Sequence, residues 1–259
     1  MMVTFVRNGR RYVAFARLAR EAGLIHAFST RPHDVAMRTD ARAPERAARR
    51  RRMAADLGLA PQALHCCIQV HQTRIARVEH ARPGRDLDGF DGAITAAPGA
   101  ALMTFSADCP LLLVFDPVRR AVGMAHASWR CTVAGMAGEL VEAMRAHFGS
   151  VPADLLAGIG PSAGPERYEV QDDVYQAAAT LPDRAACFLT RDGRMYFNLW
   201  EANRQQLCAA GLAERNVEIA GICTITDSER FYSFRREGPG CGHFGLMAGL
   251  RASSVFDSW

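Results

Sequence analysis

The stretch from Ser106 to Gly135, SADCPLLLVFDPVRRAVGMAHASWRCTVAG, constrains this chain more than any other. Two apolar runs, Leu111–Phe115 and Ala121–Ala125, flank the turn pair Asp116-Pro117 and read as strands. Each run ends at a candidate metal ligand. Cys109 stands just before the first run, and His126 stands just after the second. Antiparallel pairing brings these two ends side by side. His71, in IQVHQTR at the end of another short apolar run, is a third candidate. One thiolate and two imidazoles suit a catalytic zinc, which takes three protein ligands and keeps a fourth position for water. No CxxC or HExxH pair accompanies them.

With 259 residues, 49% of them apolar, the chain can bury a large core, and no composition shift marks a second domain. A single domain over 1–259 is expected. All 31 basic residues are arginine, which excludes a lysine Schiff base and suits recognition of phosphate and carboxylate groups. The tract Arg49–Arg52 falls inside the helical pattern AARRRRMAADLGL and reads as a solvated helix face, so no nucleic-acid partner is expected. The eight cysteines lack the spacing of a disulfide scaffold and read mostly as small buried hydrophobes. No signal-peptide apolar region is visible, and no run reaches the roughly 18 apolar residues of a membrane span. A soluble protein of the reducing cytoplasm is expected. With no coiled-coil pattern or apolar surface helix, so is a monomer.

Along the chain, FARLAREAGL has helical character, and a helix is expected from Pro44 to Leu59. Strands follow at Leu64–Val70 and Ile75–Glu79, and ARPGRDLDGFDGA reads as a surface loop. Beyond His126 the period changes to that of a helix over Thr132–Phe148, stopped at Gly149. A buried strand Leu155–Ile159, a helix Gln171–Thr180 and a strand pair turning at Asp192-Gly193 come next. Helix Trp200–Ala210, strand Val217–Cys223 and the loop-rich SFRREGPGCGHFGLMAGL complete the pattern. Strands outnumber helices and alternate with them irregularly. The expected class is therefore α/β or α+β, a sandwich with mixed β-sheets, and not a doubly wound parallel sheet.

The residues around His126 add an anion-binding signal. HASWR sets Arg130 beside the histidine at the start of a helix, whose first turn exposes backbone N–H groups. Cys109 is open to three readings: ligand, nucleophile or buried core residue. Asp108, its neighbour, is either a general acid/base or a turn residue that orients a ligand. Trp129, Phe28 and Phe234 are candidates to stack on an aromatic ligand. Cys131 and Cys241 are not expected to be ligands.

Taken together, QVHQT, SADCPLLLVFDP, HASWRCTVAG, GIGPSAGPERYEV and FYSFRREG resemble the YfiH-like proteins, also called the laccase-domain or polyphenol-oxidase family. The resemblance runs from IHAFSTR to the C-terminal loop. It implies a single-domain α/β/β/α sandwich, and a zinc held by His71, Cys109 and His126. It also implies purine nucleoside chemistry: phosphorolysis of adenosine, inosine, guanosine and methylthioadenosine, and hydrolytic deamination of adenosine. An arginine of the family's Asn-Arg helix motif, implicated in substrate binding, falls on Arg50. Several positions depart from the family pattern. Ser128 and Cys131 replace glycines of HAGWRG, Arg49 replaces the asparagine, and His243 follows Gly242 where many members carry arginine.

Three chemistries remain open at this stage. With zinc, a bound hydroxide would attack C6 of adenine in deamination, with Asp108 as acid/base. Phosphorolysis would hold phosphate on Arg130, with Arg50 a further candidate. The partners are then a purine nucleoside and phosphate. A multicopper oxidase would need about four coppers on the order of ten histidines, and this chain has eight histidines in all. A single copper in the same site remains the alternative cofactor. A thiol hydrolase or amidase acting on cell-wall precursors, with Cys109 activated by His126 or His71, is the third reading.

Overall fold

The two apolar runs beside Asp116-Pro117 pair antiparallel, with Ala121 opposite Asp116 and His126 opposite Leu111. The Asp116 carboxylate closes the turn, accepting from the Val118 and Arg119 amides at 2.9 and 2.8 Å. The expected side-by-side arrangement of the two strand ends is therefore present. The structure is a computed structural model that describes residues 1–251; residues 252–259, the end of the expected domain, lie outside the described residues.

In chain order, strands β1 (Met2–Arg7), β2 (Arg10–Phe15) and β3 (Leu24–Ser29) precede helix α1 (Ala43–Asp56). Short strands β4 (Leu64–Ile68), β5 (Ile75–Val78), β6 (Asp86–Asp88) and β7 (Gly92–Thr95) follow. Then come β8 (Ala101–Ser106) and the hairpin β9 (Leu111–Asp116) and β10 (Ala121–His126). Helices α2 (Trp129–Val133) and α3 (Met136–Phe148) lead to β11 (Leu156–Ile159), β12 (Glu169–Val170) and α4 (Asp172–Ala177). The rest comprises β13 (Phe188–Arg191), β14 (Arg194–Phe197), α5 (Leu199–Ala209), β15 (Val217–Ile219), α6 (Phe234–Glu237) and β16 (Phe244–Leu250).

Two mixed sheets stack face to face. One has the order β1-β2-β3-β16-β8-β4-β6 and the other β15-β11-β9-β10-β7-β5; β12-β14-β13 form a small third sheet. Strand β9 explains the layering. Leu111, Leu113 and Phe115 point into the core between the large sheets, beside Phe15, Phe28 and Leu246. Leu112 and Val114 point the other way, onto Leu140 and Met144 of α3 and Leu207 of α5. Both faces are covered, so the strand is continuously apolar instead of alternating. Helix α1 covers the outer face of the seven-stranded sheet, where Met53 and Ala54 meet Met103 and Met247. The layers thus run α/β/β/α. Among the described residues no helix is long and apolar enough to cross a membrane.

Several elements differ from expectation. FARLAREAGL forms only a 3-10 turn, Leu18–Arg20, before β3. The expected helix Thr132–Phe148 divides into α2 and α3, because Gly135 adopts φ +89° and starts a new helix. The surface-loop segment contains β6, paired in parallel with β4. The C-terminal glycine-rich segment ends in β16, a central strand flanked by β3 and β8. Its glycines follow from crowding: a Cβ on Gly249 would lie 2.4 Å from the Ala100 carbonyl oxygen.

Candidate active site

At one end of the two sheets, a cavity of about 570 Å³ opens where β4, β8 and β10 end. His71 lies in the turn after β4, Cys109 between β8 and β9, and His126 at the last position of β10. All three line this cavity, together with Asp108 and Arg130. The strand ends, remote in sequence, converge because β8 lies in one sheet and the β9–β10 hairpin in the other.

A residue that the sequence did not single out organises the centre. Asp91, fully buried just before β7, accepts from the Val70 and Gln72 amides on Oδ1 at 2.8 and 3.1 Å. Its Oδ2 accepts from the His71 amide at 3.1 Å and from His126 Nδ1 at 2.8 Å. The turn carrying His71 is thereby wrapped around the same carboxylate that orients His126. His71 itself has φ +62°, a conformation costly for a residue other than glycine and stabilised here by that wrapping. Burial would raise the Asp91 carboxyl, but the bonds from His126, Val70 and Gln72 outweigh it and hold it below the ordinary carboxylate value. An ionised Asp91 fixes the Nδ1 proton of His126, so Nε2 keeps its lone pair. The rings of His71 and His126 meet edge to face at 5.0 Å. Burial lowers the His71 pKa, which favours the neutral, coordinating form.

Asp108, open between acid/base and turn residue, has both carboxylate oxygens engaged. Its Oδ1 accepts from Thr224 Oγ1 and its Oδ2 from the Arg235 amide, both at 2.6 Å, while its carbonyl accepts from the Ala163 amide. With φ +97°, it is a strained anchor that ties the Cys109 turn to two distant loops. Burial, followed by the charges of Asp108, Cys131 and Asp91, pushes the Cys109 thiol pKa up. A thiol in this environment is a poor nucleophile by itself and becomes a thiolate only beside a cation.

Arg130 projects at the rim, its guanidinium 4.2 Å from the Trp129 ring. The helix-terminus anion site expected beside it is small: α2 spans five residues, and its Cys131 amide already donates to Ser128 Oγ at 3.2 Å. Arg235, stacked on Tyr168 at 5.0 Å, and Arg38 are cavity arginines that motif reading missed. Trp129 and Phe234 line the cavity as expected, whereas Phe28 is a fully buried core residue. Arg50 is placed differently from these. It lies outside the cavity lining and donates to the Val35 and Ala36 carbonyls at 3.1 and 2.9 Å, bracing the segment that contributes Met37 and Arg38.

Among the described residues, the group whose donor atoms lie within 4.8 Å of one another and could hold a metal ion is Asp91, His126 and Cys131. Its members have other partners. Asp91 accepts the four bonds above, and Cys131 Sγ accepts from Ser128 Oγ at 3.0 Å and donates to the Gln72 carbonyl at 3.4 Å. Coordination there would break the contacts that orient His126. Cys109, His71 and His126 face the cavity instead.

A family model described as multi-copper polyphenol oxidoreductase laccase matches residues 20–251. The chain belongs to this family. It is 36% identical over 193 residues to a purine nucleoside phosphorylase of Xylella fastidiosa, covering 73% of this chain and 72% of that one. It is 33% identical to purine nucleoside phosphorylase YlmD of Bacillus subtilis over 192 residues, 71% of this chain and 69% of the relative. The crystal structure of YlmD from Geobacillus stearothermophilus superimposes with a TM-score of 0.87 at 28% identity, covering 96% and 99% of the two chains. Bacillus licheniformis YfiH gives 0.82 at 29% identity over 88% and 93%.

The laccase-family description invites a test against copper chemistry. Of the eight histidines, three line the cavity: His71, His126 and His243. His26 instead accepts from the Phe15 amide at 3.0 Å, and His65 meets the Ala81 carbonyl at 3.1 Å. A multicopper cluster, needing on the order of ten converging imidazoles, does not fit these residues. Cys109, His71 and His126 share the lining of one cavity and offer a suitable donor set for one ion, although among the described residues only the Asp91 group brings its donor atoms within 4.8 Å of one another.

Proposed function

We propose that this chain is a zinc-dependent purine nucleoside phosphorylase acting on adenosine, inosine, guanosine and methylthioadenosine. One observation carries the reading: a nucleoside-sized cavity in which Cys109, His71 and His126 converge beside arginines and aromatic rings. The names of the relatives agree with it.

His71, Cys109 and His126 would hold the ion, which would supply Lewis-acid polarisation of an oxygen on the substrate or of water. Asp91 keeps His126 in the coordinating tautomer. Trp129, Tyr168 and Phe234 offer flat apolar faces to the base. Arg130, braced on Trp129, presents its fork to phosphate. Phosphate is attracted to the cavity by three lining arginines, Arg38, Arg130 and Arg235, against the single carboxylate of Asp108. Adenosine deamination is a secondary activity in this scheme, because both oxygens of its candidate acid/base, Asp108, are already hydrogen-bonded.

The test is turnover of inosine and adenosine with and without phosphate, before and after chelation and zinc return. Purine base released only with phosphate, lost on chelation and restored by zinc, is expected. Activity that survives chelation but falls to iodoacetamide would replace this reading with a thiol amidase. Rapid phenol oxidation by protein carrying several coppers would replace it with an oxidase.

A further inference from the structure

A second cavity, of about 270 Å³, lies between α1 and the segment that leads away from β3. That segment lends Pro32, His33 and Val35 to this cavity and Met37 and Arg38 to the one described above. We infer that the second cavity is an oxyanion site that takes a phosphate group on Arg10, Arg49 and Arg52.

Three guanidinium groups line it against one carboxylate, Glu45. Two of the three are held in place with donors to spare. Arg10 gives Nε and Nη2 to Asp56 at 2.6 and 2.9 Å, which leaves Nη1. Arg49 gives Nη2 to Glu45 and Nη1 to the Asp34 carbonyl, which leaves Nε. Arg52 makes no ion pair among the described residues. Asp56 does not offset the arginines at the cavity itself, because it also accepts from Asn8 and from the Tyr12 hydroxyl. After Arg10 is matched with Asp56 and Arg49 with Glu45, one positive charge remains. The single nitrogen left on each of Arg10 and Arg49, with the exposed guanidinium of Arg52, offers charge-assisted donors to phosphate oxygens. The half-buried His33 reports the same field: burial lowers its pKa, and Arg49, Arg10 and Arg52 lower it further against Asp56.

The volume is small for a nucleotide and suits inorganic phosphate or a small sugar phosphate. Either source offers the same group. None of these side chains lines the first cavity, so the inference does not depend on the reaction proposed there.

Calorimetric titration of the full chain with inorganic phosphate and with ribose 5-phosphate tests it. Arg52 is exposed, so Arg52→Glu leaves the fold intact, which an unchanged melting temperature verifies. Arg130→Gln removes the phosphate contact proposed for the reaction. Saturable binding that persists in Arg130→Gln and weakens at least about tenfold in Arg52→Glu is expected. Tighter binding of ribose 5-phosphate than of inorganic phosphate would identify a sugar phosphate as the occupant, and equal affinities the bare anion; both support the site. No saturable binding in Arg130→Gln, or an affinity unchanged by Arg52→Glu, overturns it. Turnover is not read in this experiment, so failure of the phosphorylase reading is detected separately.

Discussion

Asp91 receives three consecutive backbone amides and one imidazole, so a single carboxylate fixes both histidines of the candidate metal centre. Replacing Asp91 by Asn keeps the shape and removes the charge that sets the His126 tautomer. Zinc affinity is expected to fall about 10–100-fold in competition with a chelator, with circular dichroism unchanged. An unchanged affinity would mean that Asp91 does not orient the ligand. The three candidate ligands were legible in the sequence because each stands at the end of an apolar run. Asp91 was not, because Asp86, Asp88 and Asp91 share one polar, glycine-containing loop and look alike in one dimension. Only the fold separates the buried one from its exposed neighbours. For Arg50, the motif gives its position on α1 but not the carbonyls that its side chain reaches.

Elements were legible where period and punctuation agreed. The β9–β10 hairpin and the β13–β14 turn at Asp192-Gly193 follow their patterns closely. The failures trace to glycine, which carries no apolar signal. In β16, Gly245 and Gly249 interrupt an otherwise apolar strand because Met103 and the Ala100 carbonyl occupy the space of a side chain. Gly249→Ala is expected to destabilise by about 2 kcal/mol or more in urea denaturation, since a backbone oxygen cannot yield. Gly138 provides the contrast. It lies inside α3 with open space around its missing Cβ. Gly138→Ala should stabilise by about 0.5–1 kcal/mol through the unfolded chain. Equal effects of the two changes would refute the crowding explanation.

At the scale of the whole molecule, two sheets bury titratable groups that set its acid limit. His26 on β3 is buried and uses Nε2 as an acceptor for the Phe15 amide. Burial lowers its pKa from 6.5 to about 4. As pH falls, the unfolded chain takes up this proton first, so the contribution is complete above 6.5 and is lost between there and about 4. The loss amounts to about 3 kcal/mol, and His26→Gln, which can still accept the bond, should flatten the decline of melting temperature over that window. The mixed-sheet sandwich was legible as a class from the irregular alternation of strands and helices, and the α/β/β/α layering only through the family resemblance. What the layering does for function is to set strand ends from both sheets around one cavity. The measurement that tests this most directly is the metal content of wild type, Cys109→Ala and Cys131→Ala purified without added metal. We predict about one zinc per chain in wild type and in Cys131→Ala, and none in Cys109→Ala. Zinc retained without Cys109 and lost without Cys131 would move the ion to the Asp91 group and contradict the account.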